Sequence, residues 1–249
     1  MRFNIFGFLI LTSIMDNQVS TKTKERLGIK SYQAVFITKV YNWMALALFI
    51  TGIVAYYTAS SPQIFNAIIG SRMLFFGLII GELALVVYLS RALNSMSQTM
   101  AIGAFLLYSV LNGLTMSVIF MAYTSNSIAT TFYITAGTFA AISFYGYTTK
   151  KDLTSIGNMA LMALIGIIIA SVVNMFLKNE MMYWIISYLG VAVFVGLTAY
   201  DTQKLKEIGS RGFTNEEGME KMSIMGALTL YLDFVNLFLF LLRIFGGRK

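Results

Sequence analysis

A chain of 249 residues that is 57% hydrophobic and only 12% charged cannot cover a water-facing globule, since soluble domains carry about 25% charged residues. Its net charge of +7 is no nucleic-acid footprint, because the lysines and arginines cluster in short stretches between apolar runs, where they report membrane topology. With no cysteine and no histidine, disulfides, zinc centres and Cys or His nucleophile–base pairs are excluded, and any proton sensing falls to carboxylates.

Residues 1–14 set one arginine before mostly apolar residues and resemble a short signal-peptide core. They are too short to span, and no small-x-small cleavage site follows. Met15 is therefore expected to be the true start, or residues 1–14 a dispensable appendage. Residues 1–39 together read as an N-terminal cytosolic tail, polar from Met15 onward, and residues 40–249 as the membrane domain. Within that domain seven stretches approach or exceed the roughly 20 residues that cross a hydrocarbon core: 40–58, 73–90, 100–123, 128–147, 156–177, 181–200 and 223–245. The fold class is an all-α integral membrane protein, a bundle of seven transmembrane helices. The longest polar stretch, 201–222, suffices for a short cytosolic helical hairpin.

Basic residues orient the bundle. The tail carries Lys22, Lys24, Arg26, Lys30 and Lys39. The second, fourth and sixth connections carry Arg91, then Lys150 and Lys151, then Lys204, Lys206, Arg211 and Lys221. The other connections carry only Arg72 and Lys178, so the N-terminus is expected in the cytosol. A full seventh crossing puts Arg243, Arg248 and Lys249 on the far side; the tail there is short, and a full crossing is the expectation. Inside the spans, Gly137 with Ala141, Gly166 with Ala170 and Ala192 with Gly196 have the four-residue spacing that lets helices approach closely in lipid. Asn112, Asn174 and Asn236 are expected to be interhelical hydrogen-bond glue, and Tyr56, Tyr57, Tyr147, Tyr183 and Trp184 interfacial anchors.

Few ionisable groups remain at membrane depth: Glu82 midway along the second span, Asp201 closing the sixth and Asp233 inside the seventh, with Arg243 further on. A charge at the bilayer centre costs roughly 2.5–3.5 kcal/mol on insertion scales, so each needs a partner, a proton or water. If the sixth helix ends near Ile208 and the seventh enters near Ile224, Asp201 and Asp233 lie about half a turn apart in height. Thr214-Asn-Glu-Glu217 also reads as a capping box, which would start the last helix earlier. Two carboxylates that meet cannot both ionise comfortably and would share one proton. Protonated, the pair is a latch between two helices. Deprotonated, it repels itself, opens the cytosolic end and offers oxygens to a hard cation such as Ca²⁺. Two carboxylates alone make a weak site, suited to a leak rather than to storage. An intramembrane aspartyl protease is disfavoured, because Leu-Tyr-Leu-Asp233 has no glycine to open the backbone for substrate. A rhomboid-type serine protease lacks its histidine, and a retinal protein its seventh-span lysine.

The same residues carry a resemblance. Gly196-Leu-Thr-Ala-Tyr-Asp201-Thr-Gln-Lys-Leu205, followed by Leu230-Tyr-Leu-Asp233 and on to Arg243, resembles the C-terminal motifs of the Bax inhibitor-1 family. Ser109-Val-Leu-Asn-Gly-Leu-Thr115 and Thr148-Thr-Lys-Lys-Asp152-Leu belong to the same pattern. The likeness covers about residues 30–247 and is similar in style to bacterial members. It implies six helices around a central seventh, and a pH-sensitive calcium leak in the bacterial inner membrane with Asp201 and Asp233 as sensor, gate and weak Ca²⁺ ligands. It also implies an acidic residue in the second span, matched by Glu82, and a basic one at that span's cytosolic end, for which Arg91 is the candidate. Glu82, Arg91 and Arg243 are thus candidates for a pathway or ion pair. No enzymatic activity and no cofactor are expected, with Ca²⁺ the permeant or bound ion, the bilayer as partner, no nucleic acid, and a monomer. The alternative is a non-conducting regulator of a membrane AAA protease or stress-response partner, with residues 16–39 as its handle.

Overall fold

The computed structural model describes the backbone of residues 5–93 and 95–249 and the side chains of residues 31–93 and 95–249. The expectations for residues 1–14 fall outside those side chains, and of the expected tail only residues 31–39 lie within them, where Phe36 is buried and Lys39 pairs with Glu220. In chain order the helices are α1 (Ile5–Ser60), α2 (Pro62–Ile69), α3 (Arg72–Ala92), α4 (Gln98–Ala122), α5 (Ser125–Thr148), α6 (Thr154–Leu177), α7 (Glu180–Arg211) and α8 (Glu216–Phe245). Seven of them are long and apolar enough to cross a membrane, α1 through its Ser31–Ser60 portion, while α2 is too short. Helices are what lipid permits, because each backbone N–H and C=O must be satisfied within its own segment.

The helix starts show how the sequence ends each crossing. Ser71, Ser97, Thr124, Asn179 and Asn215 each accept a hydrogen bond from the first turn's backbone N–H, which satisfies a donor that has no intrahelical partner. The start of α6 is held from a distance. Gln203 on α7 accepts from Leu153 N at 2.8 Å and donates to Lys151 O at 2.8 Å. The predicted hairpin at 201–222 is a continuation of the two spans themselves. α7 runs on to Arg211, and α8 begins at Glu216 behind the cap Asn215 rather than Thr214.

α8 is the axis. Its most apolar stretch is 67% buried, against 6% for α3 and 11% for α6, as a central seventh helix requires. It packs on α1, α4, α5 and α7, while α3 leans chiefly on α4, and α6 on α7. The closest approaches use glycines other than those expected. A Cβ on Gly226 would lie 2.6 Å from Leu205, and one on Gly190 2.5 Å from the Phe240 ring, so these two glycines set the α7–α8 distance. Gly137 and Gly166 face open space, and Gly196 meets Ile156 and Ala160 at the ordinary separations of 3.5 and 3.6 Å. Spacing marks small residues in a row without saying which face meets a neighbour, and that is why the expectation failed there.

α8 is long and apolar enough for a full crossing. Beyond Phe245 the backbone docks on the α4–α5 link, Thr124 N donating to Gly247 O and Lys249 N to Ala122 O, both at 3.1 Å. The three basic residues here are tied into that end: Arg243 lies over Phe240 and Tyr183, Arg248 over Tyr183, and Lys249 Nζ donates to Phe120 O.

Candidate functional site

Asp201 and Asp233 come from adjacent antiparallel helices. With Leu205 against Gly226 and Phe240 against Gly190, the residues opposite Asp201 are Thr229 and Leu230. Asp233 therefore lies about one turn, or roughly 5 Å, further along α8, twice the offset expected from the sequence. Side-chain direction closes the gap. Helical side chains lean toward their own N-terminus, so Asp201 leans away from the α7–α8 turn and Asp233 leans toward it. The two carboxyls end up within hydrogen-bonding reach of each other.

Asp233 is 4% exposed, and no neighbouring N–H or O–H reaches its Oδ2. Two ionised carboxylates are both acceptor-only, so a hydrogen bond between them would need one of the two to carry a proton. Two further buried hydroxyls lack partners, Thr202 Oγ1 and Ser143 Oγ. Thr202 adjoins Asp201 in sequence. Ser143 sits one turn from Phe139, whose ring centroid is 5.4 Å from that of Phe234, the residue after Asp233. Buried polar atoms without partners thus occur on α5, α7 and α8, the helices that pack around Asp233, where sequence reasoning had seen only the two acids. Lys204, one turn on from Asp201, acts on it electrostatically and rests 5.6 Å from the Tyr200 ring centroid. With Gln203, Glu207 and Arg211 it borders a cavity of about 340 Å³ on the same flank of α7.

Glu82 is engaged differently from the expected ion pair. Its Oε1 accepts from Thr115 Oγ1 at 2.8 Å and its Oε2 from Asn112 Nδ2 at 3.2 Å. Asn112 Oδ1 accepts in turn from the Tyr231 hydroxyl at 3.0 Å, and that hydroxyl is 2.7 Å from Thr51 Oγ1. The chain of hydrogen bonds links α3, α4, α8 and α1, passing through Tyr231, two residues before Asp233. Asn112 is glue between helices, as expected. Asn236 bonds only to its own helix, and Asn174 caps the α6–α7 link. Neither Arg91 nor Arg243 pairs with Glu82. Arg91 is exposed in the last turn of α3, and Arg243 stacks 5.2 Å from the Phe240 centroid at the far end of α8. Both sit at helix ends, where long cationic side chains reach the interface. The carboxylate at mid-span takes neutral donors instead.

Sequence reasoning also missed Glu220, which read as part of a polar hairpin. It is buried in the first turns of α8, where Lys39 Nζ pairs with it and Trp43 Nε1 donates to its Oε1 at 2.7 Å. The signal available was Lys39 and Trp43, one helical turn apart on α1. Among the described residues no group of three His, Cys, Asp or Glu could hold a metal ion. Two carboxylates alone fall short of the six to eight oxygens that Ca²⁺ takes.

The family model for the inhibitor of apoptosis-promoting Bax1 matches residues 33–249. The inner membrane protein YbhL of Escherichia coli is 52% identical over 225 residues, covering 90% of this chain and 94% of that protein. An uncharacterised protein of Borreliella burgdorferi is 44% identical over 229 residues, 92% of this chain and 97% of its own length. The uncharacterised RP147 of Rickettsia prowazekii is 44% identical over 216 residues, 86% of this chain and 90% of its own. A seven-span bundle matched over nearly its whole membrane domain by that family model therefore belongs to the Bax inhibitor-1 family of membrane proteins.

Proposed function

We propose that the protein is a pH-regulated cation leak of the bacterial inner membrane, with Ca²⁺ as the permeant ion and the Asp201–Asp233 pair as gate. The contact between these two carboxyls inside the bundle carries the reading. With one proton between them, the carboxyls tie α7 to α8 and close the end of the bundle at the α7–α8 turn. When that proton leaves, two anions held in a medium of low dielectric repel each other. The helix ends part, and the freed oxygens offer a cation replacement ligands for part of its water shell. Leak is therefore low in acid and rises with pH. The end bearing Lys39, Arg91, Lys150 and Lys204 lies in the cytosol on the distribution of basic residues. Glu82, hydrogen-bonded at mid-span, is a polar foothold along the path. No catalytic step is involved.

The test is Ca²⁺ flux against pH in liposomes holding only the purified protein. The parent should show flux that climbs as pH rises, and Asp201→Asn and Asp233→Asn should each flatten that dependence, because an amide cannot lose the shared proton. Variants that respond to pH as the parent does would refute the gate. Absence of flux at every pH would leave the non-conducting regulator of a membrane AAA protease, in which case deleting residues 16–39 should abolish the cellular effect.

A further inference from the structure

At the end of the bundle opposite the α7–α8 turn, α6, α7, α8 and the C-terminal residues enclose a cavity of about 800 Å³, a size typical of ligand sites. Lys178, Arg243 and Arg248 face it, together with Tyr123, Tyr183 and Trp184. Two guanidinium groups share one ring: Arg243 lies 5.9 Å and Arg248 5.5 Å from the Tyr183 centroid. Arg248 Nη2 also donates to the Tyr183 hydroxyl at 3.0 Å, and Tyr123 is close enough to interact electrostatically with the same guanidinium.

None of the three cations is matched by a carboxylate. The ion pairs found among the described residues, Lys39–Glu220 and Lys221–Glu217, lie at the other end of the bundle, and Glu180, the acidic residue in the lining, forms none. Arg248 is not on a loose tail either. Gly247 N donates to Ser127 Oγ at 2.9 Å, and the backbone on either side bonds to the α4–α5 link. Like charges are thus held close together by neutral hydroxyls, aromatic faces and clamped backbone. Such an arrangement is preorganised for an anion that accepts from planar donors.

The position selects the anion's source. On the α6 side the cavity is lined by Ser171, Asn174 and Met175, and Met175 and the adjoining Phe176 are exposed at the outer surface of the bundle. Trp184 stacks on Tyr188 at the rim, centroids 6.1 Å apart, in the manner of an interfacial aromatic belt. A free ion would use the charged floor and leave the exposed apolar residues beside it idle, whereas a phospholipid uses both. We propose that this cavity binds an anionic phospholipid, its phosphate on Arg243, Arg248 and Lys178 and one acyl chain along α6.

The full chain in neutral detergent is titrated with phosphatidylglycerol, phosphatidylcholine or inorganic phosphate. Retained lipid is counted by native mass spectrometry, and the tryptophan emission is followed in parallel. One phosphatidylglycerol should bind saturably and at least tenfold more tightly than phosphatidylcholine. Arg243→Gln and Arg248→Gln should each weaken it about tenfold, the size expected for one charge-assisted hydrogen bond. Arg248 and Lys178 are exposed, so Arg248→Gln and Lys178→Asn give a folded test even if Arg243→Gln does not. Equal retention of both lipids, or unchanged retention in Arg248→Gln and Lys178→Asn, overturns the proposal. Inorganic phosphate that saturates the site as tightly as phosphatidylglycerol assigns it to a free anion and overturns the lipid.

Discussion

Replacing Gly146 with alanine tests whether close α5–α7 packing sets the geometry around Asp201. A Cβ at this position would lie 2.3 Å from the carbonyl oxygen of Ala199 and 3.0 Å from its carbon, two residues before Asp201. The obstacle is backbone, so no side chain can turn aside. Ordinary contact begins near 3.4 Å, and α5 must therefore back away from α7 by about 1 Å. Overpacking of this kind costs about 1–3 kcal/mol, offset by up to about 1 kcal/mol of helix propensity gained when glycine becomes alanine. Gly137→Ala on the same helix is the control. It faces open space, so it should gain the propensity and lose nothing. In detergent, Gly146→Ala should lower the unfolding midpoint by several degrees, at about 2–4 °C per kcal/mol for a chain of this size, while Gly137→Ala leaves it unchanged or raises it. Flux in liposomes should respond to pH normally in Gly137→Ala and be distorted in Gly146→Ala. Two variants of equal stability and equal flux would show that the close approach at Ala199 does not control the pair.

Tyr231→Phe keeps the ring and deletes a fully buried hydroxyl that serves Asn112 and Thr51. A loss of about 1–3 kcal/mol is expected from the unsatisfied Asn112 oxygen, measured by denaturant titration; a change under about 0.5 kcal/mol would mean that water replaces the hydroxyl. Gln203→Ala strips the partner from Leu153 N and Lys151 O together. It should cost a similar amount, with faster amide hydrogen exchange confined to the first turn of α6. A double-mutant cycle on Lys39→Met and Glu220→Gln should return a coupling of about 0.5–3 kcal/mol, since Glu220 is buried and charged; additive single effects would reduce that contact to a surface pair.

The seven crossings were legible residue by residue, because a hydrophobic run long enough to span lipid must be helical wherever it is placed. Asp201, Asp233 and Glu82 were conspicuous for the same reason, since a carboxylate among apolar residues is anomalous before any neighbour is known. What those acids touch was not legible. The Asp pair depends on a helix register set by Gly226 and Gly190 and on the direction in which each side chain leans. Glu82 took neutral donors from α4 because no arginine occupies its depth. Glu220 looked solvated until α8 began a full two turns earlier than its apolar stretch. Hydrophobicity is a property of each residue and sets length and number of helices. Contact depends on which faces of the helices meet, and only the packed bundle decides that, bringing Arg243 and Arg248 from the chain's end to one tyrosine of α7.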